Sequence, residues 1–304
     1  MVRLAPIPVL CVMLSLIGSA REPDLRELLA RVAAYIEQYE RELGTLVSQE
    51  RYRQQSGVVT GGFSDTPAPG RLGAGTVAPP IPETRELFSE FLVLRLPGTN
   101  AQWAGYRNVI EVNGRRVRDR VRRFDAQLFQ TATADAVALW TKLNEESSRF
   151  NIGPVARTIN VPTLALIVLR GDRQAQFKYR IQNAERVDGV DTVVIAFEEL
   201  EPPTLVSDPQ GAKIYTSGRV WVTPAEGSVL RTEFAARPAP GARPLARVTV
   251  RYARDKRLNA WVPSQMEEEY YAGAVRVSGL ARYSDYRRFE TDGRLLPPAS
   301  LHDH

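Results

Sequence analysis

The chain almost lacks two residue types that carry much of hydrolytic and metal chemistry. Its 304 residues include two histidines and one cysteine. His302 and His304 both fall in the C-terminal tail. There is no His-Glu-x-x-His pattern and no serine–histidine pairing inside the fold. This excludes zinc hydrolases, triad hydrolases and most enzymes that use histidine as acid or base. The tail His-Asp-His reads as a frayed end, and no metal or other cofactor is expected. A single cysteine allows no internal disulfide, so the core alone must hold the fold. Lysine is scarce too, confined to Lys142, Lys178, Lys213 and Lys256, so arginine carries nearly all the positive charge. After the first twenty residues no long apolar run occurs, and the mean hydropathy of -0.26 argues against an integral membrane protein.

What is present begins with a leader. Arg3 supplies a positive start, Leu4 to Ile17 is almost unbroken apolar sequence, and Gly18-Ser19-Ala20 offers small residues before polar Arg21-Glu22-Pro23-Asp24. Residues 1–20 are therefore expected to be a signal peptide cleaved after Ala20, placing 21–304 in the periplasm or outside the cell as a single domain. Cys11 sits inside this leader after Leu10, where a lipoprotein signal needs a small residue, so a lipid anchor is not expected. The net charge of +5 falls by one when Arg3 leaves with the leader. Charge this diffuse favours anionic lipids or polymers over nucleic acid.

The mature chain opens with a helix signal. Asp24 is placed to cap it, with Glu27 three residues on. Leu25, Leu28, Leu29, Val32, Ile36, Tyr39 and Leu43 recur at helical spacing, and Gly44 is a stop. Strands are expected at Leu46 to Gln54 and Leu87 to Leu96. Between them, Ser56 to Thr84 is rich in Gly, Pro, Ala and Thr and reads as a flexible excursion. Its Gly70-Arg71-Leu72-Gly73-Ala74-Gly75 lacks the preceding strand and following helix that a nucleotide site requires. Asn113-Gly114 marks a hairpin, with Arg115 to Val121 as its second arm. A second helix is expected from Ala136, Trp140, Leu143, Ser147 and Phe150, and Pro162 to Leu169 is a short apolar segment for which helix is slightly favoured.

From Ala175 onward the pattern is a meander. Phe177 to Ile181, Glu185 to Val187 and Val190 to Phe197 are strands, the last two joined at Asp188-Gly189, and about four more lie between Tyr215 and Phe289. Ala246, Val248, Val250 and Tyr252 alternate with Arg247, Thr249 and Arg251, which commits one face inward and fixes register. Around Pro263 the alternation weakens, which predicts a bulge or an edge position. Val220, Val222, Leu230, Phe234, Val248, Val250, Tyr252, Trp261, Met266, Tyr270 and Tyr283 are assigned to one apolar face, either an open groove for a ligand or a closed core.

Two charged clusters have a functional and an ordinary reading. Glu198-Glu199-x-Glu201 and Glu267-Glu268-Glu269 could supply an acid and a base, as in glycosidases, but fit better as a solvated or cross-strand-paired face. Read as a strand, the run from Arg115 to Arg123 sets Arg116, Arg118, Arg120 and Arg122 on one face. That face would suit an anionic membrane surface or acidic partner, or would simply be solvated.

The arrangement resembles the periplasmic outer-membrane lipoprotein carrier and sorting (LolA-like) superfamily. The resemblance rests on an exported leader, one amphipathic helix, an antiparallel meander with a helical insertion, and the Trp-x-x-Pro-x-x-Gly element within Val220-Trp221-Val222-Thr223-Pro224-Ala225-Glu226-Gly227-Ser228-Val229-Leu230-Arg231. Val275 to Phe289 is also similar to the closing strand of exported relatives. The resemblance implies an α+β, mostly antiparallel fold: a curved half-barrel sheet covered by two or three helices, with an apolar cavity that accepts acyl chains. The leading expectation is thus a non-enzymatic exported protein that binds a lipid, acyl chain or lipoprotein. The alternatives are an exported interaction protein with a closed core and a carboxylate-dependent hydrolase of cell-wall or polysaccharide substrates.

Overall fold

In the computed structural model, the structure describes residues 24–43, 45–58, 82–95, 103–118, 144–155, 157, 159–207 and 211–288. The leader, Cys11, the glycines at 70–75, Gly44, Arg120, Arg122, Trp140 and both histidines lie outside the described residues.

Helix α1 spans Leu25–Leu43. Asp24 caps it, its Oδ1 accepting from the Arg26 amide at 2.8 Å and the Glu27 amide at 3.2 Å. The predicted stripe is the buried one, since Leu28, Val32, Ile36 and Tyr39 all lie in the core. Strands follow in the order β1 (Thr45–Val58), β2 (Glu83–Arg95), β3 (Trp103–Val112) and β4 (Arg115–Arg116). Two 3₁₀ helices, Leu164–Leu169 and Gln174–Gln176, precede β5 (Phe177–Val187) and β6 (Val190–Glu199). The rest are β7 (Val206–Ser207), β8 (Lys213–Val222), β9 (Val229–Arg237), β10 (Ala246–Asp255), β11 (Ala260–Ala272) and β12 (Val275–Arg288).

All pairings are antiparallel, and the strands form one 12-stranded sheet in the order β4-β3-β2-β1-β12-β11-β10-β9-β8-β6-β5, with β7 beside β8. The fold is therefore α+β and mostly antiparallel, with an open sheet, as the sequence implies. The meander closes on the N-terminal strands by pairing β12 with β1, from Leu46 opposite Arg288 to Val58 opposite Val275. One face of the sheet carries the main core, and α1 and the 3₁₀ helix at Leu164–Leu169 pack against it.

Several boundaries differ from the sequence reading for identifiable reasons. Strands β1 and β2 run to Val58 and from Glu83, into both ends of the expected excursion, because β12 offers β1 a partner that far. Residues 59–81 of the excursion lie outside the described residues. The hairpin turn at Asn113-Gly114 is present, both residues having positive φ (49° and 73°). Its second arm is only Arg115–Arg116, so the expected strand through Val121 stops early, and Val117 turns back to donate to the Ile110 carbonyl at 3.0 Å. Of the second expected helix, residues 144–148 are helical and Phe150 packs on the core, while Ala136, Trp140 and Leu143 are outside the described residues. The bulge expected near Pro263 is real, since Arg251 faces Gln265 whereas Tyr252 faces Pro263.

The Trp-x-x-Pro-x-x-Gly element forms the turn between β8 and β9. Gly227 has φ +72°, and a Cβ there would lie 2.8 Å from the backbone of Arg31 and Val32 in α1. The glycine thus lets the turn press against the helix, and a side chain would push the two apart.

Candidate functional site

The eleven residues assigned to the apolar face are almost all buried, although Phe234 and Val248 also border the open trough on the outer face. Ten of them are 0–7% exposed, and only Trp261 is partly exposed. Val220, Val222, Phe234, Val248, Val250, Tyr252, Met266, Tyr270 and Tyr283 belong to one core, covered by α1 through Leu28, Val32 and Ile36 and by the Leu164–Leu169 segment. Tyr252 donates to the Pro162 carbonyl at 2.8 Å, and Tyr179 donates to the Val168 carbonyl, so the crossing segment is held at both ends.

Leu230 is a correction to the expected single face. The register between β8 and β9 slips there, since Trp221 faces Arg231 whereas Val222 faces Val229. The extra residue turns Leu230 to the opposite side, where it joins Trp221, Val187 and Val194 in a small second cluster. Arg231 and Arg219 lie over the Trp221 ring at 4.4 and 5.0 Å, and the indole Nε1–H donates to Glu185 at 2.7 Å. That hydrogen bond, with the one from Asn183, holds the Glu185 carboxyl below its ordinary range.

Inside the main core is a polar network that the sequence reading missed. Arg107 makes a bidentate pair with Glu50, Nε to Oε2 at 2.5 Å and Nη2 to Oε1 at 2.8 Å, with both side chains excluded from solvent. Its guanidinium lies 4.5 Å from the centre of the Tyr52 ring and 5.4 Å from that of Phe91. Burial pulls the Arg107 pKa down, and Glu50 more than restores it, so the cation persists.

The second pair is Arg157 and Glu268, at 3.0 Å and also fully buried. Tyr52 donates to Glu268 Oε1 and accepts from Arg157 Nη1 at 2.6 Å, and Tyr270 donates to Glu268 Oε2 at 3.0 Å. Arg157 also donates to the side-chain oxygen of Gln54, which accepts from the Ile152 amide at 3.2 Å. With its amide oriented to satisfy both neighbours, Asn160 donates to the Arg157 carbonyl and accepts from Arg107 Nη1, each at 3.2 Å. Burial first and Glu268 second push the Tyr52 hydroxyl well above its ordinary pKa. The network therefore ties 152–160 to β1, β3 and β11.

Gly279 makes room for it. A Cβ there would stand 2.5 Å from Glu268 Oε1 and 2.7 Å from the Tyr52 ring.

Glu268 departs from the expectation of a solvated or cross-strand-paired face, because it is buried in the core. It lies between Met266 and Tyr270 on the inner face, while Glu269 on the outer face binds Arg276 and Tyr271, and Glu267 accepts from Gln265 at 2.7 Å. Alternation sends neighbouring carboxylates to opposite faces, and Glu268 already has both oxygens engaged, so the run cannot act as a paired acid and base. Glu199 is likewise inward. It accepts from the Leu205 amide at 2.6 Å, and its other oxygen from the Thr216 amide and hydroxyl at 2.8 and 2.9 Å; burial raises its pKa despite those donors. Arg116 and Arg118 are exposed beside the Asn113-Gly114 turn. Among the described residues no group of three or more His, Cys, Asp or Glu could hold a metal ion, and no helix is long and apolar enough to cross a membrane.

The outer face of the sheet curls into a solvent-open trough of about 1350 Å³ that reaches from Lys178 and Arg180 on β5 to Arg53 and Gln55 on β1. Strand β5 at one end of the meander and β1 beside its other end thus face one hollow, so the sheet is curved.

No protein-family model matches the chain, and no curated protein matches it. Among solved structures, it is similar to a DUF1329 family protein from Desulfovibrio piger, at 13% identity over 86% of this chain and 92% of that one, with a TM-score of 0.37. It is similar to a domain from Vibrio parahaemolyticus provisionally assigned to outer membrane lipoprotein sorting, at 14% identity over 87% and 93%, TM-score 0.37. A third is a LolA superfamily protein from Nitrosomonas europaea, at 11% identity over 90% and 94%, TM-score 0.31.

Proposed function

We propose that this is an exported, non-enzymatic binding protein that carries an acyl chain, on a lipid or a lipoprotein, against the apolar face of its half-barrel sheet. The reading rests on one observation: the face is covered by a separate helix that lies across the sheet. Helix α1 ends at Leu43 and β1 begins at Thr45, and the helix's polar ties to the residues after the Leu164–Leu169 segment include Gln174 to the Leu29 carbonyl at 3.1 Å and Arg170 to Glu40 at 3.4 Å. Its hold on the sheet is mainly the burial of Leu28, Val32, Ile36 and Tyr39.

Magnitudes make an exchange feasible. Four such side chains contribute roughly 1.5–3 kcal/mol each, and a buried methylene about 0.8 kcal/mol. An acyl chain burying roughly eight to fifteen methylenes therefore offsets the loss of the helix's apolar contacts. The ligand would replace α1 on the sheet as the helix swings outward. Displacement of a fluorescent fatty acid, together with native mass spectrometry after mild extraction, tests this; no displacement and no co-purified lipid would contradict it.

The complete burial of the inner face favours a second reading, an exported interaction protein whose core stays closed and which takes no acyl ligand. The same assay separates the two.

A further inference from the structure

We propose that the outer trough is a docking groove for an extended acidic peptide segment, a site independent of the acyl-binding reading. The trough is floored by outward-facing residues of β5, β6, β8, β9, β10, β11, β12 and β1. Its acids are largely committed. Glu233 is bonded to Arg219 at 2.5 Å and to Arg231, Glu269 to Arg276, and Glu267 to Gln265. Glu199 and Glu268, which touch the trough from beneath, turn their carboxylates inward to partners in the protein. Among the described residues, Lys178, Arg180, Arg247 and Arg282 line the same trough exposed and with no carboxylate in ion-pair contact. The hollow therefore presents four cations outside any salt bridge, with Lys178 opposite Glu198 and Arg247 opposite Glu269 across neighbouring strands, and the guanidinium forks of Arg180, Arg247 and Arg282 match carboxylates.

Shape and spacing narrow the partner. A linear chain can follow a curved trough of this kind along its floor, which a flat bilayer does not match in shape. The floor crosses eight strands about 4.8 Å apart and is roughly 34 Å long, the span of about ten extended residues at ~3.3 Å each. Between the cations stand Glu198 and Glu267, together with apolar Ala235 and Leu280. Uniform polyanions would be repelled by the two carboxylates. A peptide can set backbone amides and small side chains against them while its own carboxylates meet the arginines.

The test is fluorescence anisotropy of the intact mature protein with a labelled oligo-glutamate peptide containing interspersed alanines, compared with an oligo-lysine peptide, inorganic polyphosphate and anionic phospholipid vesicles. The expected result is saturable binding of the acidic peptide that weakens as salt is raised. It should be reduced at least about tenfold, equivalent to ~1.4 kcal/mol, in R180Q/R247Q/R282Q. Polyphosphate and vesicles should bind more weakly than the peptide. Because the three substituted side chains are exposed, the circular-dichroism melt should be unchanged; if the triple variant does not fold, R180Q alone is measured. Absence of saturable peptide binding, unchanged affinity in the folded variant, or tighter binding of polyphosphate or vesicles would overturn the proposal. Fatty-acid displacement should be the same in R180Q/R247Q/R282Q as in wild type, so failure of the groove and failure of the acyl site are distinguishable.

Discussion

Glu50 and Arg107 face each other across the sheet's inner side in a bidentate pair from which water is excluded, Glu50 on β1 and Arg107 on β3. These strands are separated by β2, so the pair bridges over an intervening strand and fixes β3 relative to the closing seam of the meander. Removing one partner leaves the other charged and unpaired in the core. We expect E50Q or R107M to cost about 3–5 kcal/mol, while E50L/R107M together costs less than either alone. Urea unfolding monitored by circular dichroism checks this. A double variant as unstable as the sum of the singles would mean that the two residues act separately.

Gly279 leaves no room for a methyl group between Glu268 and Tyr52. G279A is expected to destabilise the fold by about 1–3 kcal/mol, the usual range for overpacking. Pairing it with Y52F, which removes the hydroxyl but keeps the ring, should give no relief, because the ring is part of the clash. Stability restored in G279A/Y52F would show that the ring is not the obstacle.

Buried tyrosines set the alkaline limit. Tyr39, Tyr52, Tyr270, Tyr283 and Tyr286 all have hydroxyl pKa values raised well above the ordinary value, first by burial. A folded-state pKa above the unfolded one means that the folded chain holds its proton longer. This stabilisation is fully present below the ordinary tyrosine pKa of about 10 and is lost as pH rises through the folded values. Tyrosinate absorbance from this group should appear together with loss of near-ultraviolet circular dichroism. Ionisation of all the tyrosines before unfolding would contradict their placement in the core.

Glu199 gives a pH signature of the same sign at acid. Its raised folded pKa comes from burial, opposed by the Leu205 and Thr216 donors. Its contribution is present below the ordinary glutamate pKa and is lost as pH rises through the folded value. The stability of wild type relative to E199Q should therefore increase as pH falls from neutral into the carboxylate range. A difference independent of pH would show that Glu199 titrates normally.

Much of the fold is legible in the sequence because its signals are local. The α1 stripe, the Asn113-Gly114 turn, the alternation in β10 and the bulge at Pro263 each depend on a few neighbouring residues. The polar network depends on distant ones, joining β1, β3 and β11 to Ile152, Arg157 and Asn160, and no window of sequence contains it. One trace was nevertheless visible. Met266 and Tyr270 belong to the inner face by the sequence pattern, and two-residue periodicity puts Glu268 there as well. Leu46, Ser48, Glu50, Tyr52 and Gln54 share a parity on β1 in the same way. Leu230 was misplaced for the opposite reason, because the bulge that turns it outward arises from pairing with β8 and leaves no mark on the local pattern.

The most direct test of acyl binding beneath α1 uses a disulfide lock. A Cβ built at Gly171 lies 3.7 Å from the Ala33 Cβ, within the usual separation of about 3.5–4.5 Å for a disulfide. The variant A33C/G171C, made in a chain beginning at Arg21, should bind a fluorescent fatty acid when reduced, lose at least about tenfold in affinity (~1.4 kcal/mol) when oxidised, and recover on reduction. Equal binding in the oxidised and reduced forms, or no binding by wild type, would contradict the account.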